Sequence, residues 1–298
     1  MDAHETPAVS ELLEYGIGRL HEVHETVEVP CKICGGAAQL FDVLDFGRVC
    51  SEAPYLDRPY AIPVCYRRCA ECSFIFTNFF DEFPNEFWTR FVYNSDYYSI
   101  VDPEYQESRP RKNFHLIGAV LHNSRKWIGL DYGAGNGMLA RLLDASGLPY
   151  DSYDPFGSTS MREELADKYN FCSAFEVAEH TPDPVGFLSD IVRLCTRDKL
   201  LVLIGTHVHD DPGPRVASLS RWNYAAPRNG HVSLYTRTAL DVLASRVELK
   251  CHSMSDNLHF FARGYTSAEV TKLFGAARTR LRLQRFLPAL FGGRRFLQ

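Results

Sequence analysis

Trp-Ile-Gly-Leu-Asp-Tyr-Gly-Ala-Gly-Asn-Gly-Met-Leu, residues 127–139, is the most informative stretch of this chain. An apolar run ends at Asp131. Gly133, Gly135 and Gly137 follow at alternate positions, and an apolar helical pattern starts at Met138. A strand, a glycine turn and a helix in that order let a ligand approach the backbone closely and point the free N–H groups of the helix start at it. Asp154 ends the next strand pattern, nineteen residues after Gly135, where an acid can hold ribose hydroxyls.

Downstream, apolar strand runs alternate with helical patterns, which predicts a mostly parallel sheet wrapped by helices. The expected strands are 127–131, 150–154, 171–175 and 200–205, with 247–254 and 258–264 as a terminal antiparallel pair. The expected helices are 138–146, 160–168, 185–196 and 238–246, the last capped by Thr236. The chain divides into an acidic lead (1–28), a Cys-rich module of short strands (29–78), an aromatic helical linker or lid (79–125), an α/β core (126–265) and a basic tail (266–298).

Six of the nine cysteines lie between positions 31 and 72. Cys31-x-x-Cys34 and Cys69-x-x-Cys72 can each place two thiolates on one turn, and two such turns complete a tetrahedral four-cysteine zinc site. A redox C-x-x-C is expected beside a β-α-β unit, which neither pair has. Residues 31–75 hold five basic and five acidic side chains. That balance leaves no footprint for nucleic-acid phosphates. The expected role is a structural Zn2+ shaping a lid over the ligand cleft.

The chain has 298 residues, 45% hydrophobic and 23% charged, with a net charge of -5. These values exclude a disordered or fibrous chain and argue against nucleic-acid binding. The first 28 residues carry seven acids against one Arg19, unlike a secretory signal. No uncharged apolar run reaches the ~18–20 residues that span a bilayer. A cytoplasmic location is expected. Residues 272–298 are basic with apolar residues at helical spacing. They are expected to pack as a solvated helix, with weak membrane-surface contact as the alternative.

The G-x-G-x-G turn after Asp131 resembles the first motif of class I S-adenosylmethionine-dependent methyltransferases. A dinucleotide fingerprint would need glycine where Met138 stands. The tract Phe175-Glu-Val-Ala-Glu-His-Thr-Pro-Asp-Pro184 is similar to the family's E-V-x-E-H segment after its fourth strand, and Gly230-His-Val-Ser-Leu-Tyr-Thr236 to its segment after the fifth. Together with the cysteine module, this resembles the sugar C-methyltransferases. The resemblance implies a Rossmann-like α/β sheet with helices on both faces, a small N-terminal zinc-binding module, S-adenosylmethionine as co-substrate, and a sugar or sugar nucleotide as small-molecule acceptor. It implies donor contacts from Asp131, Gly133, Gly135, Gly137, Asp154, Phe156 and Glu176, with Tyr93 and Tyr97 closing over the donor and acceptor. Glu179 and His180 are expected in the strand-end crevice.

Two departures stand out. Only sixteen residues separate Asp154 from Phe171, so the family's third strand is shortened or missing. Gly230 replaces the acid of an acid-His pair, which leaves O-methylation open beside C-methylation. Histidine titrates near neutrality, so His231 is the leading general base, with His180 and Tyr224 as further catalytic candidates. The rival readings are a nicotinamide-dependent oxidoreductase and a non-catalytic zinc-containing scaffold with a degenerate core.

Overall fold

The computed structural model describes residues 28–122, 126–155, 167–209 and 218–286. Phe156 and most of the expected helix 160–168 lie outside them, as do the acidic lead up to residue 27 and the tail beyond residue 286. The described chain forms two sheets. The first contains β1 (Val29–Pro30), β2 (Ala37–Asp45), β3 (Pro63–Cys69), β4 (Ile75–Thr77) and β9 (Ser233–Leu234), all antiparallel in the order 1-2-3-4-9. The second contains β5 (Gly129–Tyr132), β6 (Tyr150–Tyr153), β7 (Phe171–Phe175), β8 (Leu200–Gly205), β10 (Lys250–Ser253) and β11 (Leu258–Arg263). Its order is 10-11-8-7-5-6. Strands 6, 5, 7 and 8 run parallel, and the last two form the expected antiparallel pair.

β8 reads Leu-Leu-Val-Leu-Ile-Gly and is buried along its whole length, as a parallel strand covered on both faces must be. Its alternate residues feed two apolar layers. Val202 and Ile204 pack toward α3 (Pro184–Leu194) and α4 (Arg237–Arg246), beside Phe187, Leu188, Leu240 and Leu243. Leu201 and Leu203 pack on the other face toward α1 (Ser108–Leu121), α2 (Met138–Ala145) and α5 (Ser267–Phe286). Helices therefore cover both faces. Pro184 opens α3 behind Asp183, whose carboxylate accepts from the Gly186 N–H at 2.9 Å. Thr236 caps α4 through the Ala239 N–H at 3.0 Å. Among the described residues β6 is the sheet's edge, and no strand lies beyond it.

β3 and β9 depart from the simple picture of a separate N-terminal module. Arg67 of β3 is buried, which obscures the strand's alternation. β9 comes from the core segment yet closes the N-terminal sheet by pairing with β4. Helix α5 lays Val270, Leu273, Phe274 and Ala277 into the apolar layer it shares with α1, and Arg280 donates to the Ala119 carbonyl at 2.7 Å. The apolar residues of the tail thus pack on the protein's own core as far as Leu281. No described helix is long and apolar enough to cross a membrane.

Candidate functional site

The C-terminal ends of β5, β6 and β7 open into a cleft of about 620 Å3, where open α/β sheets place their ligands. Gly133 and Gly135 line it. Both hold positive φ, at 75° and 53°. A Cβ on Gly133 would meet Val177 at 2.4 Å, and one on Gly135 would meet the Tyr105 hydroxyl at 1.8 Å. Glycine is required there by conformation and by space. Gly137 does not line the cleft. It turns the chain into α2 at φ 70°, while the Asn136 side chain accepts from the Met138 N–H at 2.9 Å.

Asp154 accepts from the Gly135 N–H at 2.7 Å, so the acid expected on the ribose also ties down the glycine turn. Asp131 is buried beneath it and accepts from Ser173 Oγ at 3.0 Å. Burial, reinforced by the Asp154 charge, pushes the Asp131 carboxyl up to about 7. Glu176 also faces the cleft and sits at φ 54°, a left-handed backbone for a residue with a side chain. Burial raises its carboxyl, and the Arg109 charge opposes that rise.

The opposite wall is aromatic. Trp88, Tyr93, Tyr97, Tyr98 and Tyr105 line it. They come from the helical turns 85–92 and 97–101 and the short turn after them. Tyr93 and Tyr97 meet edge-on at 5.1 Å between ring centroids, and Tyr93 lies 5.9 Å from the His180 ring. Burial raises both phenols and keeps them protonated. Arg109 forms a bidentate pair with Asp102 at 2.7 and 2.8 Å. Arg111 pairs with Glu107 and Lys112 with Glu104. Each basic residue at this mouth is thus already balanced by an acid.

His180 completes that wall, while His231 and Tyr224 lie behind it and do not line the cleft. The two imidazoles are 4.9 Å apart and nearly perpendicular. His231 Nδ1 bonds the Tyr224 carbonyl at 2.6 Å, and the Tyr224 ring lies 4.3 Å from the His231 ring. The Tyr224 hydroxyl donates to Glu179 Oε1 in a short hydrogen bond. Glu179 is fully buried, and its Oε2 has no hydrogen-bond partner among the described residues. Burial, with the neighbouring Glu176 charge, raises the Glu179 carboxyl. Burial holds His231 down to about 4 and, with the His231 and Arg109 charges, holds His180 well below the usual histidine range. Both rings rest neutral at pH 7.

Sequence reasoning missed three neighbours of this cluster. Cys50 places its sulfur 3.6 Å from His231 Nδ1. Tyr66 of β3 donates to the His231 carbonyl at 2.7 Å. Tyr105 covers Gly135. No sequence signal linked the first two to His231, which stands more than 160 positions away.

The four predicted cysteines converge. Cys31 and Cys72 sulfurs are 3.6 Å apart, Cys34 and Cys69 sulfurs 3.4 Å apart, and all four lie within 4.8 Å of one another. A tetrahedron with bonds of ~2.3 Å has edges of about 3.8 Å. The N–H groups of Ile33, Gly36 and Glu71 point at Cys31, Cys34 and Cys69 sulfurs, each at 3.4 Å. Such bonds suit thiolates on two tight turns, so the quartet could hold a Zn2+ ion. One element joins it to the histidine cluster. Thr236 donates to the Cys72 carbonyl at 3.1 Å, and the Val232 N–H donates to the Glu179 carbonyl at 2.8 Å.

Residues 104–254 match the model of a family described as a methyltransferase domain. The chain belongs to the methyltransferase-domain family. That match bears out the expected methyltransferase domain and speaks against the oxidoreductase alternative. No curated protein matches this chain. Among solved structures it is similar to mitomycin 7-O-methyltransferase MmcR, at 15% identity over 53% of this chain and 57% of that one, with a TM-score of 0.34. A Burkholderia thailandensis 1,6-didemethyltoxoflavin-N1-methyltransferase, solved with S-adenosylhomocysteine, is 16% identical over 56% of this chain and 83% of that one, with a TM-score of 0.39. An O-methyltransferase family protein from the same organism is 10% identical over 54% and 57%, with a TM-score of 0.40. The chain spans little more than half the length of the first and third of these structures.

Proposed function

We propose that this methyltransferase transfers a methyl group to a hydroxyl of a sugar or sugar nucleotide, with His180 taking the proton. One observation carries the reading: a single cleft joins the glycine turn, with Asp154, to a wall of His180 and Tyr93. The glycine turn and Asp154 hold the donor, and Glu176 faces the space between donor and acceptor. When bound, S-adenosylmethionine supplies a sulfonium methyl that an acceptor oxygen takes by in-line displacement, leaving S-adenosylhomocysteine.

The protein's part is alignment and proton removal. The aromatic wall offers ring faces for stacking against a sugar ring and excludes water. His180 is the base in this reading because it faces the cleft, whereas His231 backs it. A neutral imidazole has its lone pair free. A weak base suffices, because an oxygen that is forming a bond to carbon becomes strongly acidic. The buried Glu179 carboxyl, held by Tyr224, lies where it can balance the imidazolium formed. Oxygen is favoured over carbon by Gly230. It holds φ at 84°, and a Cβ there would come within 3.1 Å of His180 Nδ1, so an acid at this position, as in the sugar C-methyltransferases, would strain the backbone and press on His180.

In the same reading a structural Zn2+ sits on Cys31, Cys34, Cys69 and Cys72 and fixes the turn that carries β9. Calorimetric titration with S-adenosylhomocysteine tests the donor half. Micromolar, one-to-one binding that Asp154→Ala weakens is expected. A folded, zinc-loaded protein that does not bind would instead favour a scaffold with a degenerate core.

A further inference from the structure

Three side chains, His180 in the acceptor wall and two behind it, have the makings of a second metal site. Glu179, His180 and His231 each offer one ligand atom, and the three atoms lie within 4.8 Å of one another. They stand on two segments, the turn after β7 and the loop before β9, which the Val232-to-Glu179 backbone bond clamps together. Two polar atoms of the cluster are buried with no partner among the described residues: Glu179 Oε2 and His180 Nδ1. A buried carboxylate oxygen without a donor is costly, and either a proton or a bound cation would relieve that cost.

The surroundings of the three residues match those of metal ligands. A ligating histidine usually donates its second ring N–H to a carbonyl or carboxylate, which fixes the ring and its tautomer. His231 Nδ1 lies 2.6 Å from the Tyr224 carbonyl. With the proton on Nδ1, Nε2 keeps its lone pair. Tyr224 also holds Glu179, through its hydroxyl on Oε1. One residue thus orients two of the three side chains. Two imidazoles and one carboxylate suit Zn2+, Co2+ or Ni2+ rather than Mg2+ or Ca2+. Three protein ligands leave a further position open.

We propose that Glu179, His180 and His231 bind a transition-metal dication, separately from the cysteine quartet. The consequence for turnover rests on the reading of His180 as the base: an ion that occupies its lone pair leaves it unable to accept a proton, so excess dication inhibits.

The experiment adds Co2+ to full-length protein whose cysteine site already holds one equivalent of Zn2+, with turnover followed in parallel. The expected result is one further equivalent of Co2+ showing d–d absorption without a thiolate charge-transfer band. Its affinity should fall at least tenfold in both Glu179→Gln and His231→Gln, each checked for folding by circular dichroism. Absence of a second equivalent, or binding that neither variant weakens, overturns the site. A bound second equivalent with turnover unchanged upholds the site and removes His180 as the base. Absence of binding together with an inactive His180→Ala variant removes the site and leaves the base in place.

Discussion

The two ends of the cleft are built in different ways. The end proposed to hold the donor comes from one contiguous stretch: β5, the glycine turn, α2 and β6, ending in Asp154. The end proposed to take the acceptor is walled by the aromatic turns up to residue 105 and by His180, and backed by Glu179, the loop from Tyr224 to His231, and two residues of the N-terminal sheet region, Cys50 and Tyr66. A site made from one stretch stands on local backbone geometry. A site gathered from many depends on whatever holds those pieces together, and here the closure of the N-terminal sheet by β9 does so.

The comparison is broken most severely at the donor end. Gly135→Val places branched carbon against the Tyr105 hydroxyl and forces a φ that such residues avoid. The dissociation constant for S-adenosylhomocysteine should rise at least about 100-fold, a loss near 3 kcal/mol, while circular dichroism stays that of a folded protein. His180→Ala works on the other end alone. Turnover should fall by about 10²–10⁴, with donor affinity changed by no more than about twofold. Equal losses in both would join the two ends that the geometry separates.

The smallest effect concerns Asp131 below the donor turn. Its carboxyl stands at about 7 in the folded protein against about 3.9 in an unfolded chain. Between those values the folded state binds more protons, so stability of the ligand-free protein declines as pH rises from about 4 to about 7. Asp131→Asn should flatten that decline, with differences in Tm on the order of 2–4 °C per kcal/mol at this size. Thermal melts across the range check it. An unchanged slope would mean that the carboxylate is not desolvated as its burial implies.

The same contrast explains what could be read from the sequence. Gly133, Gly135, Asp131 and Asp154 announce themselves because strand, turn and acid follow at set intervals, and β8 because it is apolar throughout. Both C-x-x-C pairs carried their spacing openly, and their sulfurs meet. The acceptor end was legible only in pieces. His180 and His231 were visible as candidates, but which of them faces the cleft depends on the approach of Tyr93 and Gly230, and no local pattern encodes that. β9 was hidden because two residues of strand leave no periodicity. The partnership of Cys50 and Tyr66 with His231 required the sheet that β9 completes. The Arg109–Asp102, Arg111–Glu107 and Lys112–Glu104 pairs answer a question that composition alone left open, since a basic cluster reads the same whether or not acids neutralise it.

The central claim is that the cysteine-bearing sheet positions the acceptor end and leaves the donor end to itself. Cys72→Ser tests it most directly, with S-adenosylhomocysteine affinity and turnover measured on the same folded preparation beside the parent protein. Donor affinity within about twofold of the parent, with turnover reduced at least tenfold, is the predicted result. Parallel losses of affinity and turnover, or full turnover in a protein that has lost its zinc, would contradict it.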